Sequence, residues 1–198
     1  MTIQSASDLA GLQRAGHLVA RTLAEMRGAV RPGITTAALD DVAARFARAE
    51  GARSAPQLAY DFPGFTCISV NDEIVHGIPG PRVLRGGDVV KLDVTLELDG
   101  YIADAAVTVL VPPAERSGHG VGRRIHESPS VPNFRDPGTR GVLTPGLVIA
   151  LEPMITPCPT RAVERRDGWT VCTESGALAA HHEHTIVIRQ GAPLVVTM

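Results

Sequence analysis

Residues 91–108, KLDVTLELDGYIADAAVT, leave the chain little freedom. Asp99-Gly100 is a two-residue turn signal flanked by alternating apolar and polar residues. The stretch therefore predicts two antiparallel strands in which Leu98 faces Tyr101 and paired residue numbers sum to 199. That register assigns the faces. Leu92, Val94, Leu96 and Leu98 share one side, as a sheet packed on a core requires. Asp104 lies opposite Thr95 on the other side, with Asp93 its diagonal neighbour about 7–8 Å away. Like charges on a half-buried face need a basic partner, a shared proton or a metal ion, whereas on a wet face they need nothing.

A chain of 198 residues is long enough for one sizeable core and short for two domains. A formal charge of −2 gives no support to nucleic acid or acidic membranes as partners. No apolar run reaches the length of a membrane span, and the polar start MTIQSASDLAG lacks a signal-peptide core, so a cytoplasmic protein is expected. Cys67, Cys158 and Cys172 are odd in number and share no C-x-x-C spacing, which speaks against a disulfide framework or a thiolate zinc site.

Ser5 or Ser7 can cap a helix running to about Val30, with Leu9, Leu12, Leu18, Leu23 and Met26 as its apolar stripe. Thr35 or Thr36 opens a second helix that Gly51 stops. Beyond it the chain turns to β character: residues 1–52 read as mainly helical and 53–198 as mainly strand, in a single domain. Helices first and strands afterwards predict an α+β fold with an antiparallel or mixed sheet.

Three further stretches carry candidate ligands. In SGHGVGRRIHESP, Gly118 and Gly120 bracket His119 and permit close approach, and His126 follows seven residues later. In VIALEPMI, Glu152 interrupts an apolar strand before Pro153, and a carboxylate there needs a partner. In HHEHTIVI, alternation puts Glu183 on one face with His181 and Thr185, and His182 with His184 on the other. Glu183 is taken as the ligand and the histidines as flanking residues. Asp93, Asp104, His119, Glu152 and Glu183 together carry −4, which balances two divalent cations. Oxygen-rich ligation with one nitrogen suits Mn, Fe(II), Co(II) or Zn. Two such ions about 3.5–4 Å apart acidify a shared water, so the chemistry expected is hydrolysis.

The stretches CISVNDEIVHGIPG, GGDVVKLDVTLELDGYIADAAVT, GHGVGRRIHESP, LTPGLVIALEPM and DGWTVCTESGALAAHHEHTIVI, together with the helical N-terminal part, span nearly the whole chain. In their order and spacing they resemble the type I methionine aminopeptidases of the creatinase-like, or pita-bread, metallopeptidases. The resemblance implies a cytoplasmic enzyme that removes initiator methionine from nascent polypeptides with a small second residue, near the ribosome. It makes Asp93 the chelating ligand of one metal, Asp104 and Glu183 the bridging ligands, and His119 and Glu152 the ligands completing the other. Glu152 is also implied as the base for the attacking water. His76 is implied near the scissile nitrogen and His126 at the carbonyl oxygen. Cys67, Trp169 and one or more of Tyr60, Phe62 and Phe65 are implied as the wall of a methionine pocket.

Two departures stand out. Ile125 occupies a position where the family commonly has an aromatic residue, which loosens the pocket. His119 follows Asp104 by only fifteen positions, where the family has several dozen more, including a helix pair of the second half. Loss of that pair predicts an uncovered apolar surface around LTPGLVIALEPMI, and with it self-association. Two rivals follow: a catalytically impaired derivative that binds metal or peptide, and a proline-directed peptidase of the same fold.

Overall fold

The computed structural model describes residues 1–109, 118–120, 122–131 and 142–198, with the side chains at 118–120, 130 and 131 outside the description. Helix α1 (Ala6–Ala29) starts at Ser5, whose hydroxyl accepts from the Asp8 amide at 3.1 Å. Its buried side includes Leu12, Leu18, Leu23 and Met26, as the stripe predicts. Helix α2 (Thr36–Ala49) is capped by Thr35, which accepts from Ala38, and Gly51 follows it in the left-handed conformation at φ 83°. A third helix, α3 (Ala55–Tyr60), falls within the region expected to be mainly strand. Ser54 caps it, Pro56 occupies its first turn, and Asp61 ends it at φ 55°. Six residues are too few to show a period of 3.6, so only the capping residues announce it.

The first sheet is built on the predicted hairpin. Strands β1 (Arg53–Ser54) and β2 (Cys67–Val70) pair antiparallel along one edge of β4 (Val90–Leu98), while β5 (Tyr101–Val109) pairs along the other; β3 (Glu73–Val75) follows β2. Leu98 faces Tyr101 and the register holds through Val90 and Val109. Asp99 and Gly100 both have positive φ, 53° and 80°, as a type I′ turn demands. The core side presents Leu92, Val94, Leu96, Ala103 and Ala105 to Ala15, Val19 and Leu23 of α1 and Leu39 and Ala43 of α2. Each fully buried Leu or Val contributes about 1.5–3 kcal/mol.

Lys91 sits inside this sheet at 1% exposure, and its Nζ donates to the Asn71 carbonyl at 2.6 Å. Burial lowers its pKa from 10.5 to about 8. The unfolded chain therefore binds a proton that the folded protein has released between those two values, and this ammonium costs roughly 3 kcal/mol below pH 8, a cost that disappears by about pH 10.5. Burial raises the Cys67 thiol, which pulls the other way at alkaline pH, so the comparison must be differential. Lys91→Met is expected to be more stable than wild type in urea at pH 7.5, with the advantage shrinking by about 3 kcal/mol by pH 10.5. A difference that does not vary with pH would show that Lys91 does not titrate in this range.

The second sheet has five strands in the order β14-β13-β8-β6-β7, from β6 (Gly118–Gly120), β7 (Glu127–Val131), β8 (Val148–Leu151), β13 (His184–Val187) and β14 (Leu194–Val195). Shorter pairs flank it: β9 (Met154–Ile155) with β12 (Ala180–His181), and β10 (Ala162–Glu164) with β11 (Val171–Thr173), which in turn pairs with β3. Every strand pairing among the described residues is antiparallel. The apolar surface expected to be uncovered around residues 143–155 is covered along β8. Val148, Ile149 and Ala150 are all buried, and Val148 and Ala150 pack with Leu12, Ile102, Ile125, Val187 and Val196. The extreme N-terminus adds a further edge. Ile3 donates to the Gly146 carbonyl at 2.8 Å and Val148 donates to that of Met1 at 3.3 Å. Exposed apolar side chains instead precede the strand, at Val142 and Leu143. Within the stretch expected to be uncovered, β8 is buried at Val148, Ile149 and Ala150, and Leu143 is exposed.

Candidate active site

Residues directly opposite one another in an antiparallel pair point to the same face. Cys67 faces Asp93, and Asp93 faces Ala106. Ala106 in turn exchanges backbone hydrogen bonds with Glu183, at 2.9 and 3.2 Å. Asp93 and Glu183 thus flank a single methyl group across three segments, with room above it. The same seam continues on both sides. The Asp104 amide donates to Thr185 Oγ1 at 2.8 Å, and that hydroxyl donates back to the Asp104 carbonyl at 2.7 Å. The His181 amide donates to Thr108 Oγ1 at 2.8 Å, and the Thr108 hydroxyl donates to the His181 carbonyl at 2.5 Å. Two threonine hydroxyls therefore complete a seam between the hairpin and the segment 181–185.

The result is a cavity of about 350 Å³ whose floor holds Asp93, Asp104, Glu152, Glu183 and His181. Glu152 does not interrupt a strand, as expected from the sequence, but follows directly after β8 ends at Leu151. Thr95 donates to Asp104 Oδ1 at 2.8 Å and orients it. Burial first, and then the neighbouring charges of Asp104 and Glu152, push the Asp93 carboxyl well above the usual carboxylate range. Glu183 is raised for the same reasons, with Asp93 added to the charges acting on it. Buried carboxylates that repel one another in this way are suited to a cation.

Asp93, His181 and Glu183 each bring a donor atom within 4.8 Å of the other two. Strand alternation groups His181 with Glu183, but reading the histidines as merely flanking residues missed its place in the floor. His182 and His184 lie on the opposite face, their rings edge to face at 4.9 Å. His119 pairs through its backbone with Ala150 in β8, and its side chain lies outside the described residues.

The cavity wall carries the other candidates. Phe62 and Trp169 meet edge to face at 5.1 Å, and Cys67, Ile125 and Tyr60 line the cavity with them. Phe65 does not. It belongs to the core between helices and sheet, with the Arg48 guanidinium 5.1 Å from its ring. Phe65 and Thr66 both donate backbone amides to Asp40, which turns the chain there and sends the Phe65 ring away from the cavity.

His126 is held by a 2.9 Å hydrogen bond between its Nδ1 and the Tyr60 hydroxyl. His76 has a left-handed backbone, φ 57°, and lines the cavity. The next residue must be glycine, because a Cβ at Gly77 would lie 2.4 Å from the Ile68 carbonyl oxygen. Burial lowers the His76 pKa, and the charge of Glu152 pulls it upward.

The sequence profile of metallopeptidase family M24 matches residues 10–117 and 114–190. The chain belongs to metallopeptidase family M24. One relative is methionine aminopeptidase 2 of Bacillus subtilis, 32% identical over an alignment of 247 residues that covers 100% of this chain and 99% of that protein. The crystal structure of a methionine aminopeptidase from Thermotoga maritima matches with a TM-score of 0.91 at 30% identity, over 100% of this chain and 99% of that one. An Xaa-Pro dipeptidase from Bacillus anthracis shares the fold, with a TM-score of 0.73 at 17% identity over 99% of this chain and 62% of that one. The fold is therefore the pita-bread fold of the M24 peptidases. The profile match falls into two pieces that meet at 114–117, and the alignment of 247 residues is longer than the 198 of this chain. Both agree with the short join between Asp104 and His119. A peptidase of this family uses divalent metal, and the floor fits one: its donors are carboxylate oxygens and an imidazole, buried or half-buried and close together.

Proposed function

We propose that this protein removes N-terminal methionine from polypeptides with a small second residue, using two divalent ions held by Asp93, Asp104, His119, Glu152 and Glu183. The observation that carries the reading is the cavity itself: four carboxylates at its floor and an aromatic and thiol wall beside them. Such ions supply charge that acidifies a water and polarises a peptide carbonyl at neutral pH. Glu152 accepts the proton of the attacking water and returns it to the leaving amine. His126, oriented by Tyr60, donates a hydrogen bond to the carbonyl oxygen as that oxygen gains charge. His76 hydrogen-bonds the substrate backbone near the scissile nitrogen. Phe62, Trp169, Cys67 and Ile125 receive the methionine thioether, which packs well against ring edges.

Methionine release from Met-Ala and Met-Gly peptides tests the reading, with the protein first treated with chelator and then given Co(II), Mn(II), Fe(II) or Zn. Activity is expected to vanish with chelation and return with metal. Met at the N-terminus is expected to exceed Leu by about 1–3 kcal/mol in kcat/KM, the usual worth of a small change of shape in an apolar pocket. Equal turnover of Met, Ala and Lys would exclude a methionine pocket, and preferential cleavage before proline would favour the proline-directed alternative. Metal binding without turnover of any peptide would identify an inactive derivative.

A further inference from the structure

We propose that His181 is a metal ligand in its own right, adding a second imidazole to the centre through Nε2. This rests on the dinuclear reading above, in which His119 supplies the only nitrogen. His181 is 2% exposed, yet among the described residues neither of its ring nitrogens has a hydrogen-bond partner. A buried imidazole left in that state loses about 1–3 kcal/mol per unsatisfied group, so the position calls for an occupant that uses the ring.

The spacing indicates what that occupant is. Nε2 lies 3.5 Å from Glu152 Oε2 and 3.7 Å from Glu183 Oε2. A charge-assisted hydrogen bond would draw such a pair to about 2.7–2.9 Å. Donors sharing one ion at bond lengths of about 2.0–2.2 Å stand instead about 3.3–3.6 Å apart in tetrahedral geometry. The observed separations fall near that second range. The backbone holds the ring in place, since His181 is fixed at both its amide and its carbonyl by the Thr108 hydroxyl, and Asp93 closes the donor set from β4, the strand beyond β5. An added neutral nitrogen donor directs the site toward Co(II), Fe(II) or Zn, which imidazole suits, and away from Mg.

Proton NMR of the Co(II)-loaded protein counts ligated imidazoles directly, because each gives a strongly shifted ring N–H signal that exchanges with solvent. Two such signals are expected in wild type. His181→Gln should retain one, His119→Gln should retain the other, and His182→Gln, on the opposite face, should retain both. Co(II) affinity measured by calorimetry should fall in His181→Gln by at least the roughly 10–100-fold that losing an outer-shell partner costs. A single signal in wild type that persists in His181→Gln, with Co(II) affinity unchanged, would overturn the proposal while leaving the metal centre intact. Failure of wild type to bind Co(II) at all would overturn the dinuclear reading as well. If His181→Gln does not fold, the wild-type count and the signal that remains in His119→Gln decide the matter.

Discussion

Asp104→Asn and Glu183→Gln are each expected to lower kcat/KM for methionine release by roughly 10²–10⁴. Both side chains are buried in the cavity floor, and each substitution removes one negative charge from the set proposed to hold two cations. Breaking a buried charge set by deleting one partner costs about 3–5 kcal/mol, and each 1.36 kcal/mol is a factor of ten in rate. The fold should survive. In Asp104→Asn the contact with the Thr95 hydroxyl and the backbone bonds to Thr185 all remain possible. Without metal the same variants should melt higher than wild type, since each relieves repulsion among buried carboxylates. Turnover within tenfold of wild type under saturating metal, measured on a Met-Ala peptide, would remove these two residues from the reaction.

Asp93 and Glu183 are expected to make a contribution to metal-free stability that falls as pH rises from 5 to 8, opposed up to about pH 6.5 by His76, His182 and His184, whose burial lowers their pKa values, and divalent metal should reverse that fall. Asp93 and Glu183 have folded-state pKa values raised well above their ordinary ones, first by burial and then by neighbouring carboxylates. In the unfolded chain these groups release their protons near pH 4–4.5. The folded protein keeps them longer, so the associated stability is fully present below that pH and is lost as pH rises through the raised folded values. A bound cation replaces those protons, and its stabilisation therefore grows with pH. Metal at about 100 times its Kd contributes about 2.7 kcal/mol per site, roughly 5–11 °C in Tm for a chain of this size. Melting curves at pH 5, 6.5 and 8, in chelator and in Co(II), provide the measurement. The window stops at pH 8 because Lys91 begins to titrate there. A metal-induced shift in Tm that is the same at every pH would mean these carboxylates are not competing for a cation.

The hairpin was legible because its information is local. Asp99-Gly100 can adopt positive φ at both positions, and alternation then leaves one register that buries Leu92, Val94 and Leu96. The same alternation grouped His181 with Glu183 and set His182 and His184 apart, as the structure has them. The role given to His181 did not follow from alternation, since whether a histidine is buried beside two carboxylates depends on Glu152, which sits between β8 and β9 on the segment that pairs with residues 180–187. Phe65 went astray for a related reason. Strand character suggested no face for it, and Asp40, twenty-five residues earlier, sets the turn that buries it in the core.

The sequence by itself determined the two capped helices, the hairpin and its register and the resemblance that led to the family, because each rests on turn chemistry, periodicity or spacing along the chain. Only the tertiary structure decided that β8 is covered despite the short join before His119. That cover comes from α1, the 101–109 strand and the N-terminal residues, contacts with no local signature. It also decided that Ala106 is the small spacer allowing Asp93 and Glu183 to face each other, and that two threonine hydroxyls hold that seam in register. Burial and donor spacing belong to the packed chain, and they depend on which segments meet.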